Sequence, residues 1–508
     1  MEPSAIFKTL IQKHSSEIGD CSAFVSSTQS ISYKKLETFS SGLELFLRKN
    51  KVSSQSPVLI FLPQSVELAL LASALIYSGV PALITPTGIK AHEVDQLLAD
   101  YPFSALITSE EFKDKLKKSA RFQDNVMNIE IERTKFSFYK LTDEIKTSVD
   151  FSWLLMTSGS TGKSKIVMMS ALNLQERTLG EIDLFEIRPQ SKILNVLPFS
   201  HDIGFNQLLT SIYTGSTLEI FTKRLPVEFA NRMIEGGFDG VSSMPQIWNN
   251  FIQIAKKLNF KIAHACYITV SGGSLPVEKL VELREIFINA KIFKTYGQTE
   301  TFRSLAEVEQ DFFVKNSCGK IIAGVDLLLV NENDQVCLTG ESGQLLHFGT
   351  GTMSGYWMDQ ELTDIKMKPF GEIKIPVVRT GDYFIRTEDG RYQYEGRKDD
   401  MIKHAGRRFF LSEIETCIRS SNLVKDVFLI HVPESNINSL GKDKILSFVI
   451  VKDDVTDAPS LLKIYCTSML ETFKVPDEFI VCSAFPMTSS FKVDGPALLK
   501  LGRLSGNK

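Results

Sequence analysis

The sequence predicts an α/β protein built on doubly wound, mainly parallel sheets, with a smaller α+β region toward its end. Two observations carry this. Through the first 240 residues, short apolar runs alternate with longer helical patterns, the βαβα rhythm of a parallel sheet. Beyond about residue 320 the texture shifts to short strands with hairpin signals such as Thr387-Glu388-Asp389-Gly390.

Val58 to Leu62 reads as a buried strand closed by Pro63, and Val66 to Tyr77 as an apolar helix. Ala82-Leu83-Ile84 and Ala105-Leu106-Ile107 are the next strands, with a helical stretch from Ala91 to Leu98 between them. The hydrophobic run Phe151 to Met156 follows, and the pattern continues through Gly240–Pro245 and Tyr267–Gly273. After Asp400 come a short helix, Leu411 to Ile418, and two apolar strands, Val427–His431 and Ile445–Val451.

At 508 residues the chain is long enough for roughly two to four domains. Its 43% apolar and 23% charged residues are those of an ordinary globular protein. A net charge of −3 gives no reason to expect nucleic acid or an anionic membrane as partner. No apolar stretch reaches the roughly 18 residues of a membrane span, and the N-terminus lacks a signal-peptide pattern. The seven cysteines are odd in number and without C-x-x-C spacing, so a reducing, cytoplasmic setting is expected. The dispersed histidines form no zinc pattern.

The stretch Leu154-Leu155-Met156-Thr157-Ser158-Gly159-Ser160-Thr161-Gly162-Lys163-Ser164-Lys165 has the makings of a polyphosphate site. Glycines let the backbone approach an anion, hydroxyls and N–H groups donate to it, and lysine supplies charge. A Walker loop needs a Gly where Thr157 stands, so that match fails. Taken alone, the tract could equally be a Ser/Gly-rich surface turn.

Further stretches recur in fixed order with it: Tyr296-Gly297-Gln298-Thr299-Glu300, Arg379-Thr380-Gly381-Asp382, Gly396-Arg397-Lys398-Asp399-Asp400 running to Lys403 and Gly406, and Pro486 to Asp494 around Lys492. Val80-Pro81-Ala82 and Ser354-Gly355-Tyr356-Trp357 add weaker signatures. Together they resemble the adenylate-forming superfamily of acyl-CoA synthetases, luciferases and peptide-synthetase adenylation domains, over nearly the whole chain. The resemblance implies a large core, residues 1–396, that includes a small barrel-like β part. It also implies a small mobile lid, residues 397–508. The implied reaction is attack of a carboxylate on the α-phosphate of Mg2+·ATP, giving acyl-AMP and pyrophosphate, then acyl transfer to a thiol.

The same resemblance implies the roles. Thr157, Ser158, Gly159, Ser160, Thr161, Gly162 and Lys165 would surround the β- and γ-phosphates. Glu300 would hold Mg2+, a hard ion that takes one or two protein carboxylates. Tyr296 would stack on adenine beside Gly272 and Gly273, with Gly297 and Thr299 in the same motif. Asp382 would accept from the ribose hydroxyls, with Arg397 close behind. Lys492 would bridge the attacking carboxylate and the α-phosphate, Asp399 would be the hinge, and Lys403 would reach the thiol step. Singly, each of these residues has an ordinary structural reading. Two positions depart from the family pattern: Ile166 stands where Gly is usual after the lysine, and Phe491 replaces the Gly before Lys492.

Pro198-Phe199-Ser200-His201-Asp202-Ile203-Gly204-Phe205 bears on the acid. Asp202 matches the carboxylate that pairs with an amino-acid substrate's ammonium, whereas His201 and Gly204 look more like fatty-acyl-AMP ligases. His201 could also be a core histidine. The expectation leans to a non-amino acyl acid, with an amino acid as alternative. Lys492-Val493-Asp494 and Ala497-Leu498 resemble peptide-synthetase ends, so a phosphopantetheine arm on a free-standing carrier protein is expected, with CoA as alternative. Gly272-Gly273-Ser274-Leu275 lies inside the large domain and is rejected as a carrier attachment site. The rival classes are a P-loop NTPase using Lys163 and a catalytically silent ATP-binding homologue.

Overall fold

The computed structural model describes residues 5–55, 57–86, 88–109, 126–131, 134–142, 151–157, 165–223, 225–308, 317–404, 407–432, 444–453, 455–487 and 493–505. Its residues cluster into two compact units. The first comprises Met1–Leu328, Leu346–Thr380 and Glu388–Tyr392, and the second Leu329–Leu345, Gly381–Thr387 and Gln393–Lys508.

Two large sheets build the first unit. The eight-stranded sheet has the order Gly355–Tyr356, Lys165–Met169, Trp153–Thr157, Ala82–Ile84, Val58–Phe61, Ala105–Thr108, Thr134–Lys140, Val126–Ile131. Its central strands pair in parallel, Leu59 opposite Leu83 and Leu106. The strand Val58–Phe61 is buried at every position, which is why it reads as an unbroken apolar run rather than an alternation. Between the first two strands of that βαβ unit lies the helix Val66–Tyr77, also buried almost all round and capped by the Ser65 hydroxyl.

The nine-stranded sheet runs Lys320–Ile321, Leu305–Val308, Lys291–Tyr296, Tyr267–Val270, Gly240–Ser243, Lys192–Asn195, Thr217–Ile220, Ser22–Val25, Ser30–Ser32. The strands from Lys291 to Ser22 in that order are mutually parallel, and antiparallel strands close both edges. Parallel strands send all their carboxyl ends to one edge, where α/β proteins bind ligands. That edge carries Pro198–Asp202, Ser271–Gly273 and Tyr296–Glu300.

A four-stranded sheet of Val325–Val330, Ser342–Gly349, Val377–Arg386 and Tyr392–Arg397 contains the points where the chain passes from one unit to the other. The rest of the second unit is α+β. A hairpin, Met401–His404 with Arg407–Phe410, leads into the helix Leu411–Ser420. The strands Val424–Val432, Lys444–Val451 and Glu478–Val481 form a sheet packed with the helix Ala458–Met469 around Ile414, Ile418, Val449 and Leu462. The doubly wound fold with an α+β region is therefore as the sequence predicts, with helix and strand ends shifted by a few residues.

Candidate active site

Thr157 ends one strand and Lys165 begins the next, and the two are cross-strand partners in an antiparallel hairpin. Ser158, Gly159, Ser160, Thr161 and Gly162 lie between them, outside the described residues. A Walker loop runs from a strand into the N-terminus of a helix, whose free N–H groups hold the phosphates. Here the tract runs into the strand Lys165–Met169, so the P-loop alternative fails on topology as well as on Thr157.

The strand Gly355–Tyr356 lies alongside that hairpin, Tyr356 opposite Val167. From there the Tyr356 hydroxyl donates to Glu300 Oε1 at 2.7 Å. The Glu300 carbonyl accepts from the Met353 N–H at 2.9 Å, so both ends of the residue are held. Burial, then the Glu300 carboxylate, push the Tyr356 hydroxyl well above its ordinary range, so it stays a donor. Among the described residues no cluster of three or more His, Cys, Asp or Glu could hold a metal. One oriented carboxylate fits Mg2+, which keeps waters and takes its remaining oxygens from phosphates.

Tyr296 closes the strand Lys291–Tyr296, next to the strand Tyr267–Val270 that feeds Gly272 and Gly273. Gly272 is left-handed at φ +78°, and both glycines are exposed. Gly297 has no room for a side chain, since a Cβ would sit 1.5 Å from the Phe302 carbonyl oxygen. Gln298 donates to the Thr380 carbonyl at 3.0 Å.

His201 is exposed at the N-cap position of the helix Asp202–Thr214, which removes its reading as a core histidine. Asp202 is half-buried in the first turn and accepts from the Ile203 N–H at 2.8 Å. Gly204 is required by packing, because a Cβ would meet the Pro198 carbonyl oxygen at 2.2 Å. The helix N-terminus is thereby pressed against the 197–201 loop.

Sequence reasoning missed the residues behind this edge. Arg177, on the helix Ala171–Phe185, is buried, donates to the Thr299 carbonyl at 3.1 Å and lies over the Phe302 ring at 4.4 Å. Burial pulls its guanidinium down to about 10, against the opposing pull of Asp202, Glu181 and Glu300. Arg303 and Glu181 form a buried ion pair at 3.0 Å. Phe302, whose ring faces both Arg177 and Arg303, adopts a left-handed φ of +58°, rare for a bulky residue. The spacing Arg177-x-x-x-Glu181 is the one available signal, and it looks like any surface helix pair.

In the second unit, Arg397 Nε donates to Asp382 Oδ1 at 3.1 Å, with the aspartate side chain buried and the arginine half exposed. Asp399 lies in a 3₁₀ turn, Lys398–Asp400, and Lys403 in the strand Met401–His404. Lys492 lies outside the described residues.

An oriented carboxylate at the carboxyl edge of parallel strands, with the paired strands that end at Thr157 and begin at Lys165, places the candidate site where α/β proteins bind ligands. A family model for AMP-binding enzymes matches residues 11–357, and the chain belongs to that family. Gramicidin S synthase 2 of Aneurinibacillus migulanus is 24% identical over 94% of this chain, which spans 10% of that protein's length. The D-alanine–D-alanyl carrier protein ligase of Bacillus licheniformis is 24% identical over 95% of this chain and 97% of its own length. Among solved structures, ATP-bound MatB from Rhodopseudomonas palustris superposes with a TM-score of 0.83 at 20% identity, covering 98% of both chains. o-Succinylbenzoate CoA synthetase from Bacillus subtilis, with ATP and magnesium, gives 0.78 at 20% identity over 95% of this chain and 98% of its own. These structures share the fold.

Proposed function

We propose that this chain activates a small carboxylic acid as its acyl-AMP and passes the acyl group to the phosphopantetheine thiol of a separate carrier protein. The observation that carries the first step is Glu300, oriented by Tyr356 beside the Thr157–Lys165 hairpin. A carboxylate oxygen of the acid bonds to the α-phosphorus of ATP, the bond to the bridging oxygen breaks, and pyrophosphate leaves. Residues 157–165 hold the β- and γ-phosphates, and Glu300 holds Mg2+, which when bound offsets the phosphate charge. Lys492 meets the charge developing at the α-phosphate. In the second step the thiol sulfur bonds to the acyl carbon, its proton is lost to solvent, and AMP leaves.

In this reading Tyr296, Gly272 and Gly273 receive the adenine, Gly297 and Thr299 shape the same wall, and Asp382 with Arg397 receives the ribose. Residues 1–396 act as the core and 397–508 as a lid turning at Asp399, bringing Lys403 to the thiol step in the cytoplasm. The carrier as acceptor is supported by the nearly end-to-end match to a carrier protein ligase. That relative also favours a second reading in which the acid is an amino acid, its ammonium facing Asp202. CoA as acceptor is the competing outcome.

The test is acid-dependent exchange of labelled pyrophosphate into ATP, followed by loading of carrier protein or CoA. Exchange that falls at least a hundredfold in Lys492→Ala supports the adenylation step. ATP binding without exchange for any acid would favour a silent homologue.

A further inference from the structure

The helices Ala171–Phe185 and Asp202–Thr214 pack together, and each presents two polar residues four apart, hence on one face. Asp202, half-buried, and Arg177, which donates to the Thr299 carbonyl at 3.1 Å, stand one helical turn before the second residue of each pair. One turn deeper, Asn206 Nδ2 donates to Glu181 Oε2 at 2.9 Å. Arg303 supplies the third side there, its Nη2 and Nε at 3.0 and 3.3 Å from the same Glu181 oxygen. Arg303 Nη1 donates onward to Thr295 Oγ1 at 2.7 Å and Ser271 Oγ at 3.0 Å, and those two hydroxyls are 2.6 Å apart.

This deeper level has the properties of a rigid floor. Asn206, Glu181, Arg303, Ser271 and Thr295 are all buried. The Arg303 guanidinium lies between two aromatic faces, Phe185 at 4.9 Å and Phe302 at 5.0 Å. Ser271 and Thr295 sit at the carboxyl ends of adjacent parallel strands, the edge where a ligand enters such a sheet. An alkyl chain descending past Asp202 would have to part a buried ion pair and leave each charge without its partner. Parting such a pair leaves two buried charges uncompensated, a cost that burying a few methylenes does not offset.

We infer that Arg303 and Glu181 are specificity-determining residues that floor the acid site and restrict the enzyme to short acids, excluding medium and long alkyl chains. This rests on the adenylation reading above and names the substrate class for it. Bulk at the floor, rather than any contact with ATP, sets the limit. The limit therefore depends on the acid's length and leaves nucleotide binding unchanged.

The experiment is pyrophosphate exchange by the full chain across straight-chain acids from two to twelve carbons, together with the corresponding 2-amino and 2-hydroxy acids up to six carbons. The expected result is exchange confined to acids of about five carbons or fewer, at least a hundredfold above octanoate and dodecanoate. In the paired variant Glu181→Leu with Arg303→Met, which replaces the ion pair by apolar groups, the optimum should move to longer acids by at least tenfold relative to the short ones. Octanoate or dodecanoate equal to the short acids in the unsubstituted enzyme would overturn the floor while leaving adenylation intact, and needs no variant to fold. A folded double variant with an unchanged length profile would overturn it too. No exchange with any acid would overturn both readings.

Discussion

The Tyr356 hydroxyl lies 2.7 Å from Glu300 Oε1, joining the strand beside the Thr157–Lys165 hairpin to the carboxylate at the carboxyl edge of the other sheet. Each sheet alone would leave its half of the site unfixed. The bond engages Oε1 and fixes the direction in which the carboxylate faces.

Tyr356→Phe keeps the ring and its packing but removes the donor. A hydrogen bond to a charged group contributes about 2 kcal/mol net, so adenylation at limiting Mg2+ should fall by about thirtyfold. Raising Mg2+ should recover most of the loss, because the carboxylate remains. Equal losses at low and high Mg2+ would show that the hydroxyl acts on something other than cation binding.

Asp382 is buried, and in the second unit it is paired with Arg397, whose guanidinium is half exposed. Arg397→Ala should raise KM for ATP about tenfold with a small change in kcat, since the aspartate loses its orienting partner, about 1.4 kcal/mol. Arg397→Lys should recover only part of this, because a point charge does not reproduce the directed Nε bond. An unchanged KM for ATP in Arg397→Ala would remove both residues from the nucleotide site.

Gly297→Ala places a methyl 1.5 Å from the Phe302 carbonyl oxygen, backbone that cannot rotate away. The 297–303 turn also holds left-handed Phe302, so relief of the clash has to come from the turn itself. A loss of about 4 kcal/mol in stability is expected, with nucleotide binding lost alongside it. Thermal unfolding and ATP titration of the same sample check it, and a variant with the original Tm would mean that the turn yields.

The sheet rhythm was legible because strands buried on both faces write themselves as apolar runs, as Val58–Phe61 and Ala105–Thr108 do. The hydroxyl tract was legible because its composition departs from every neighbouring segment. The Arg177–Glu181 face was not, since charged residues four apart on a helix usually point to solvent. The packing of Asp202–Thr214, with Phe302 and Arg303, against them turns the pair inward. Tyr356 lay within a recognised signature, but its bond to Glu300 spans 56 residues of chain, a pairing that no local pattern encodes. The left-handed Phe302 was equally hidden, because sequence rules reserve that conformation for glycine and asparagine.

Glu415 makes the second unit's stability depend on pH. It lies on the helix Leu411–Ser420, accepts from the Leu429 N–H at 3.1 Å, and has its carboxyl pushed up to about 7. Burial is the main cause. Asp426 and Asp400 add to it, and Arg419 and the Leu429 hydrogen bond oppose it. The folded protein therefore holds this proton more tightly than the unfolded chain does. Its contribution to stability is full below the unfolded value near 4.5 and is lost as pH rises through about 7. The change amounts to at most ~3 kcal/mol between pH 4.5 and pH 8. Glu415→Gln keeps an acceptor for Leu429 and abolishes the titration. The variant should thus match the parent near pH 5 and unfold at a higher temperature than the parent at pH 8. Parallel Tm–pH curves for the two proteins would mean that Glu415 is ionised in the folded state throughout, with Arg419 supplying the compensating charge.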